Sequence, residues 1–195
     1  MTSSLHLVGS CLLDEETESG MPIGNELAIV QEMFSQREYK IQEIKKEYPR
    51  YILAVDGSGK EDRFVLALFD ILKVNKSKLQ ELVSKMKDSG TCHILIIYSQ
   101  DVTPSVRTII TNISTDIIIE LFHIDDLQYN ITKHVLQPTF LKIKGPKAFK
   151  TLYGAAPYHA VMSVSDPIAR FYGYKKGDII EIRRKNGYVS YRIVK

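Results

Sequence analysis

Apolar residues recur along this chain with two different periods, and the change of period divides it. From Glu26 the spacing is three and four. Leu27, Val30, Phe34, Ile41, Ile44 and Tyr48 fall on one face, which predicts a helix running until Pro49. Arg37 occupies a place where that stripe would take another apolar residue. Short apolar runs follow. Tyr51 to Val55 and Phe64 to Phe69 are predicted strands, joined as a hairpin through a turn at Asp56-Gly57-Ser58-Gly59. Asn75 then caps a helix carrying Leu79, Leu82, Val83 and Met86, which stops at Gly90. His93 to Tyr98 has the apolar content of a buried strand. Thr103-Pro104-Ser105 opens a further helix, with proline near its first position, and Asp116 to Phe122 is an isoleucine-rich strand. Strand, helix, strand, helix, strand at this spacing predicts a small α/β sheet with parallel members.

From Asn130 the character changes. Pro138, Gly145, Pro146, Gly154 and Pro157 punctuate the chain. Lys147 to Tyr153 reads as a short helix and Ala160 to Val164 as a strand. The closing stretch, Asp166 to Lys195, carries the strongest period-2 signal. Asp178 to Arg184 and Tyr188 to Val194 alternate on either side of Asn186-Gly187, a strong hairpin signal. It predicts a short helix followed by a two-stranded ribbon. Residues 1–25, with Asp14-Glu15-Glu16 and then Gly20, Pro22 and Gly24, read as an N-terminal extension. The predicted organisation is therefore 1–25, 26–130 and 131–195.

Charge sharpens that division. The chain of 195 residues is 44% hydrophobic and 25% charged, which is a globular composition. Its net charge of +3 hides an asymmetry. Residues 1–130 hold 13 basic against 20 acidic residues, and residues 131–195 hold 13 against 3. A basic 65-residue module beside an acidic one points to separate partners, with nucleic acid and an acidic protein surface both open for the basic one. No apolar run approaches the length of a membrane span, and the patch from Leu5 to Leu13 lacks the basic flank of a signal peptide. Cys11 and Cys92 form no C-x-x-C pair, so a reducing intracellular compartment is expected.

The chemical motifs fail on inspection. Gly57-Ser58-Gly59-Lys60 follows a strand, as a phosphate loop would. It has Ala54 where that loop needs glycine, Glu61 where it needs Ser or Thr, and a strand where it needs a helix. Glu43-Ile44-Lys45 has the acid-x-lysine spacing of magnesium-dependent nucleases, but it falls in the helical pattern rather than on a strand. His6, His93, His123, His134 and His159 form no metal-binding spacing. His93 and His123 are expected to be packed and hydrogen-bonded. No cofactor or metal is implied. Two features remain. One is the helix start at Thr103-Pro104-Ser105 with Arg107 beside it, where free backbone N–H groups would suit a phosphate or would simply be capped. The other is the basic hairpin Arg183-Arg184-Lys185 with Lys175-Lys176, either a solvated turn or a docking surface for an acidic partner.

The residues of that closing stretch carry a resemblance. Met162, Asp166-Pro167, Arg170, Gly173, Gly177, Arg184, Gly187 and Tyr191-Arg192 stand in the order of the closing pattern of the fifth-largest subunit shared by eukaryotic nuclear RNA polymerases. The C-terminal part is also similar to a small subunit of the archaeal RNA polymerase. Upstream, Asn130-Ile131-Thr132-Lys133-His134, with Leu136 and Pro138, resembles the segment opening the family's C-terminal domain. Val102-Thr103-Pro104-Ser105 resembles its T-P-S-A helix start, and Gln36-Arg37-Glu38-Tyr39 resembles a D-R-G-Y segment. Departures are Glu38 in place of the helix-breaking glycine, His159-Ala160 in place of L-P, and a shortened closing hairpin.

The resemblance implies a non-catalytic structural subunit common to RNA polymerases I, II and III, located in the nucleus. It implies an α/β jaw domain with a nuclease-like sheet lacking catalytic residues, followed by a small α+β assembly domain with a mixed sheet. The jaw would lie near downstream duplex DNA, with Thr103, Pro104, Ser105 and Arg107 on the DNA-facing side. The assembly domain would anchor on the largest polymerase subunit through Asp166, Pro167, Arg170, Gly173, Gly177, Arg184, Tyr191 and Arg192. Arg170 and Arg192 have an internal alternative, pairing with Asp166 or Asp178. The rival readings are a stand-alone magnesium-dependent nuclease and an independent DNA-binding factor.

Overall fold

A computed structural model describes residues 24–57, 63–88, 91–113, 117–143 and 160–195. The chain divides into two units, Met1–Tyr129 and Asn130–Lys195. The predicted turn at Ser58-Gly59, the stop at Gly90, the helix at Lys147 to Tyr153 and nearly all of the N-terminal extension lie outside the described residues.

The first unit opens with α1 (Glu26–Gln36), and here the expectation from sequence is corrected. The helix expected to reach Pro49 ends at Gln36. Glu38 takes a left-handed φ of 63°. Its N–H donates to the Ser35 carbonyl at 3.1 Å, and the Tyr39 N–H donates to the Phe34 carbonyl at 2.9 Å. This is the two-bond Schellman stop, with a glutamate where glycine is usual. The Tyr39 ring packs edge-on against Phe34, with centroids 5.4 Å apart, and closes the motif. Lys40–Lys45 is strand β1. A bulge between Ile41 and Glu43 explains the misleading spacing. It sets Ile41 opposite Ala54 and Ile44 opposite Ile52, so two residues three apart share one face of a strand.

Strands β2 (Tyr51–Asp56) and β3 (Arg63–Ile71) follow, then α2 (Lys76–Asp88), β4 (Thr91–Tyr98), α3 (Pro104–Ile113) and β5 (Ile118–His123). The five strands stand in the order β1-β2-β3-β4-β5. The first three form an antiparallel meander, and β3, β4 and β5 run parallel through the two helical crossovers. Leu66, Leu68, Ile94 and Ile96 pack on Leu79, Leu82, Val83 and Met86 of α2 and on Val106 of α3. Val65, Ala67, Leu95 and Ile97 are buried as well, so β3 and β4 are covered on both faces and read as unbroken apolar runs.

The second unit contains β6 (Thr139–Lys142), β7 (Ala160–Met162), α4 (Pro167–Tyr172), β8 (Ile179–Arg183) and β9 (Val189–Val194). Its sheet order is β6-β8-β9-β7, antiparallel except for the parallel pair of β7 and β9. Asp166 Oδ1 accepts from the Ile168 N–H and caps α4, Pro167 begins the helix, and Gly173 ends it at φ 68°. Gly177, at φ 92°, donates its N–H to the Val194 carbonyl. The β8–β9 hairpin closes through Lys185-Asn186-Gly187: Arg184 N–H donates to Tyr188 O, Gly187 N–H to Arg184 O, and Gly187 lies at φ 81°. Strict alternation fails at one point. Ile179 and Ile180 are both buried, because Ile180 joins Met162, Ile168, Ile182 and Val194 while Ile179 packs with Ile193 in a second cluster.

Candidate docking site

Two surfaces gather the residues singled out by sequence, one in each unit. In the first, Val102 and Val106 are buried and hold the start of α3 against the sheet. This leaves Thr103, Pro104, Ser105 and Arg107 exposed on its outer side. Thr103 supplies its carbonyl to the Val106 N–H, and its hydroxyl lies 3.0 Å from that of Ser105. No acidic residue stands in the first turn, so nothing there offsets the partial positive charge of the helix start. The four residues form a small exposed surface with two hydroxyls and one guanidinium.

The second surface is concave. In the C-terminal unit a groove of about 420 Å³ is walled by Ile131, Phe140, Met162, Ile168 and Ile182. Leu136, Gln137 and Pro138 form one lip, and Asp166, Pro167, Arg184 and Arg192 complete it. Leu136 is 83% exposed and Val135 69%. The turn bearing them is tied to the hairpin by Lys185, whose Nζ donates to the Val135 carbonyl at 2.6 Å. Tyr188, at the hairpin, is exposed too. Exposed apolar side chains gathered beside an apolar groove, rather than scattered singly, are the pattern of a binding surface.

The groove brings together four of the eight residues expected in assembly: Asp166, Pro167, Arg184 and Arg192. Gly173 and Gly177 are turn residues with positive φ, and Tyr191 packs against the Ile179–Ile193 cluster. Arg170 lies in the last turn of α4. Both carboxylates named as internal alternatives make contacts within the unit. Asp178 pairs with Lys142 at 2.9 Å and accepts from the Lys175 N–H, while Asp166 caps α4. The remaining acidic side chain of the unit, Glu181, pairs with Arg183.

Two buried ionic clusters in the first unit were not anticipated. Arg37, expected as an interruption of an apolar stripe, sends both guanidinium nitrogens to Glu120, at 2.9 and 2.8 Å. Glu120 also lies 2.7 Å from His93 Nε2, and Tyr39 Oη lies 3.3 Å from His93 Nδ1. Burial alone would raise the Glu120 carboxyl, but Arg37 and His93 hold it well below the usual carboxylate range. Arg50 lies between Asp70 and Glu26, with contacts of 2.5 and 2.8 Å. An arginine inside an apolar period is the one signal that could have flagged the first cluster. His93 and His123 are hydrogen-bonded as expected, His123 Nε2 to the Ser99 carbonyl.

Glu43-Ile44-Lys45 requires a correction. The motif lies on β1, not in a helix, because the helix stops at Gln36. Its carboxylate is engaged: Tyr51 Oη donates to Glu43 at 2.5 Å, and burial together with this bond pushes the Tyr51 hydroxyl up to about 12. Among the described residues no group of three or more His, Cys, Asp or Glu side chains could hold a metal ion.

Comparison with known proteins gives a consistent family. The model of the RNA polymerase Rpb5 C-terminal domain matches residues 129–194. A protein of Invertebrate iridescent virus 6, named as a DNA-directed RNA polymerase subunit, is 34% identical over 183 residues, covering 86% of this chain and 96% of that protein. The subunit of DNA-directed RNA polymerases I, II and III from Dictyostelium discoideum is 26% identical, covering 84% and 92%. Its counterpart from Caenorhabditis elegans is 23% identical, covering 73% and 71%.

Proposed function

This chain belongs to the Rpb5 family of RNA polymerase subunits, and we propose that it serves a DNA-directed RNA polymerase as a non-catalytic structural subunit. In this reading the C-terminal unit anchors on the largest subunit. The first unit is a jaw beside downstream duplex DNA, and its α/β sheet has the nuclease-like form without nuclease chemistry. The subunit is common to polymerases I, II and III, as the names of two relatives have it for those proteins, and it resides in the nucleus with them. The observation that carries the anchor is the exposed apolar groove, which collects Asp166, Pro167, Arg184 and Arg192 in the unit matched by the family model.

The start of α3 supports the jaw. The Ser105 N–H, two hydroxyls and Arg107 on one exposed patch suit contact with a phosphate and carry no sequence information. The unit containing it is acidic overall, so such a contact holds DNA only where the rest of the polymerase supplies the cations. A nuclease reading has the strand placement of Glu43 in its favour. Against it, Glu43 is committed to Tyr51 and has no cluster of further ligands among the described residues.

The test is affinity purification of the tagged full-length chain. The two largest polymerase subunits are expected in the eluate at near-equal stoichiometry. Recovery of the chain without them overturns the reading.

A further inference from the structure

The groove carries information about the chemistry of whatever fills it. All three side-chain carboxylates of residues 131–195 are engaged within the unit, against 13 basic residues. Arg184 and Arg192 line the groove, and neither guanidinium has a hydrogen bond or ion pair among the described residues. Arg192 is half-buried, set on β9 opposite Ile180 on one side and Ala160 on the other. A cation partly withdrawn from water beside an apolar wall gains most from an anion that arrives with its own apolar surface. A nucleic-acid phosphate would satisfy the charge, yet it would leave Ile131, Leu136 and Phe140 without cover.

We propose that the groove accepts a protein segment bearing a large apolar side chain with an aspartate or glutamate within about three residues of it, the carboxylate pairing with Arg192 and Arg184. This rests on the anchor reading above and names the chemistry of its partner segment. The apolar side chain enters between Leu136 and Phe140. The carboxylate replaces the water that otherwise solvates Arg192. Binding is therefore sensitive to the charge of Arg192 and not only to its volume.

The experiment uses the full-length chain expressed with a photo-crosslinking phenylalanine derivative at Leu136, purified with its polymerase. The cross-linked peptide is read by mass spectrometry. The expected product is a segment of a polymerase subunit with an Asp or Glu within about three residues of the cross-linked site. Replacing that carboxylate by its amide is expected to reduce copurification about tenfold, the order of one charge-assisted pair. Arg192→Gln should do the same, Arg192→Lys should retain part of the binding, and the amide variant combined with Arg192→Gln should be no worse than either alone. Circular dichroism of Arg192→Gln checks that the unit remains folded. If it does not, Arg184→Gln serves in the cycle. A cross-link to a polymerase segment without a nearby acid overturns the inference and leaves the anchor intact, as does additive loss in the double variant. A cross-link to nucleic acid or to a second copy of this chain also overturns it. Absence of any polymerase subunit from the purified material overturns both readings.

Discussion

Removing the charge of Glu120 tests one of the two buried ionic clusters in the first unit. The Arg37 side chain is 2% exposed and makes a two-pronged contact with a carboxylate that also holds His93. Glu120→Gln leaves the guanidinium in place with no counter-charge. Breaking a buried pair from one side typically costs about 3–5 kcal/mol, because the surviving charge stays desolvated. Glu120 retains 21% side-chain exposure, so water can reach part of the site, and the low end of that range, about 3 kcal/mol, is expected. Arg37→Met combined with Glu120→Leu removes both charges and keeps apolar volume. That double variant should cost no more than Glu120→Gln, its residual loss of about 1–3 kcal/mol coming from His93 Nε2 left without a partner. The assay is urea unfolding of the full chain followed by circular dichroism, with the transition of the first unit resolved from that of the second. A loss below about 1 kcal/mol in Glu120→Gln would refute the argument that Arg37 depends on this partner. So would a double variant as unstable as the sum of its parts.

Four further outcomes follow from other positions. The Glu120 carboxyl titrates well below its unfolded range, so its contribution is fully present above about pH 4.5 and is lost as pH falls from there toward the folded value; the stability gap between parent and Glu120→Gln should shrink progressively as pH falls below about 4.5 in urea midpoints. Glu38→Gly should raise stability by about 0.5–1 kcal/mol, since relief of a left-handed side chain exceeds the added chain entropy, and Glu38→Val should lower it. A Cβ at Gly24 would sit 2.5 Å from Glu26 Oε2, so Gly24→Ala is expected to destabilise by about 1–3 kcal/mol in the same unfolding assay. Arg107→Glu in the assembled polymerase should reduce the salt slope of downstream DNA binding by about one, with no change in subunit composition; an unchanged slope would remove Arg107 from the DNA-facing surface.

The fold was legible in sequence wherever one period held over a whole element. β3, β4 and α2 follow from Val65 to Phe69, from Ile94 to Tyr98 and from the Leu79 to Met86 stripe, because burial is continuous along the two strands and confined to one stripe of the helix. The reading failed between Gln36 and Lys45. A strand bulge places Ile41 and Ile44 on one face at helical spacing, and the helix stop is written in backbone bonds around Glu38 rather than in a glycine. The groove was half legible. Asp166, Pro167, Arg184 and Arg192 stand out as residues, but their convergence depends on β9 lying between β8 and β7, a pairing that spacing does not encode. The two buried arginines were illegible as pairs, since their partners lie 83 residues away for Arg37 and 20 and 24 for Arg50.

The bulge in β1 also bears on how this chain survives before it meets a partner. β1 is the outermost strand of its sheet, and an open edge invites pairing with the edge of another molecule. The extra residue between Ile41 and Glu43 breaks the even ladder that such pairing requires, and Lys40 and Lys45 stand at its two ends. A second copy laid alongside would meet an interrupted row of hydrogen-bonding groups and like charges. The feature that hid the strand from its sequence is thus also one that disfavours edge-to-edge pairing at this side of the sheet.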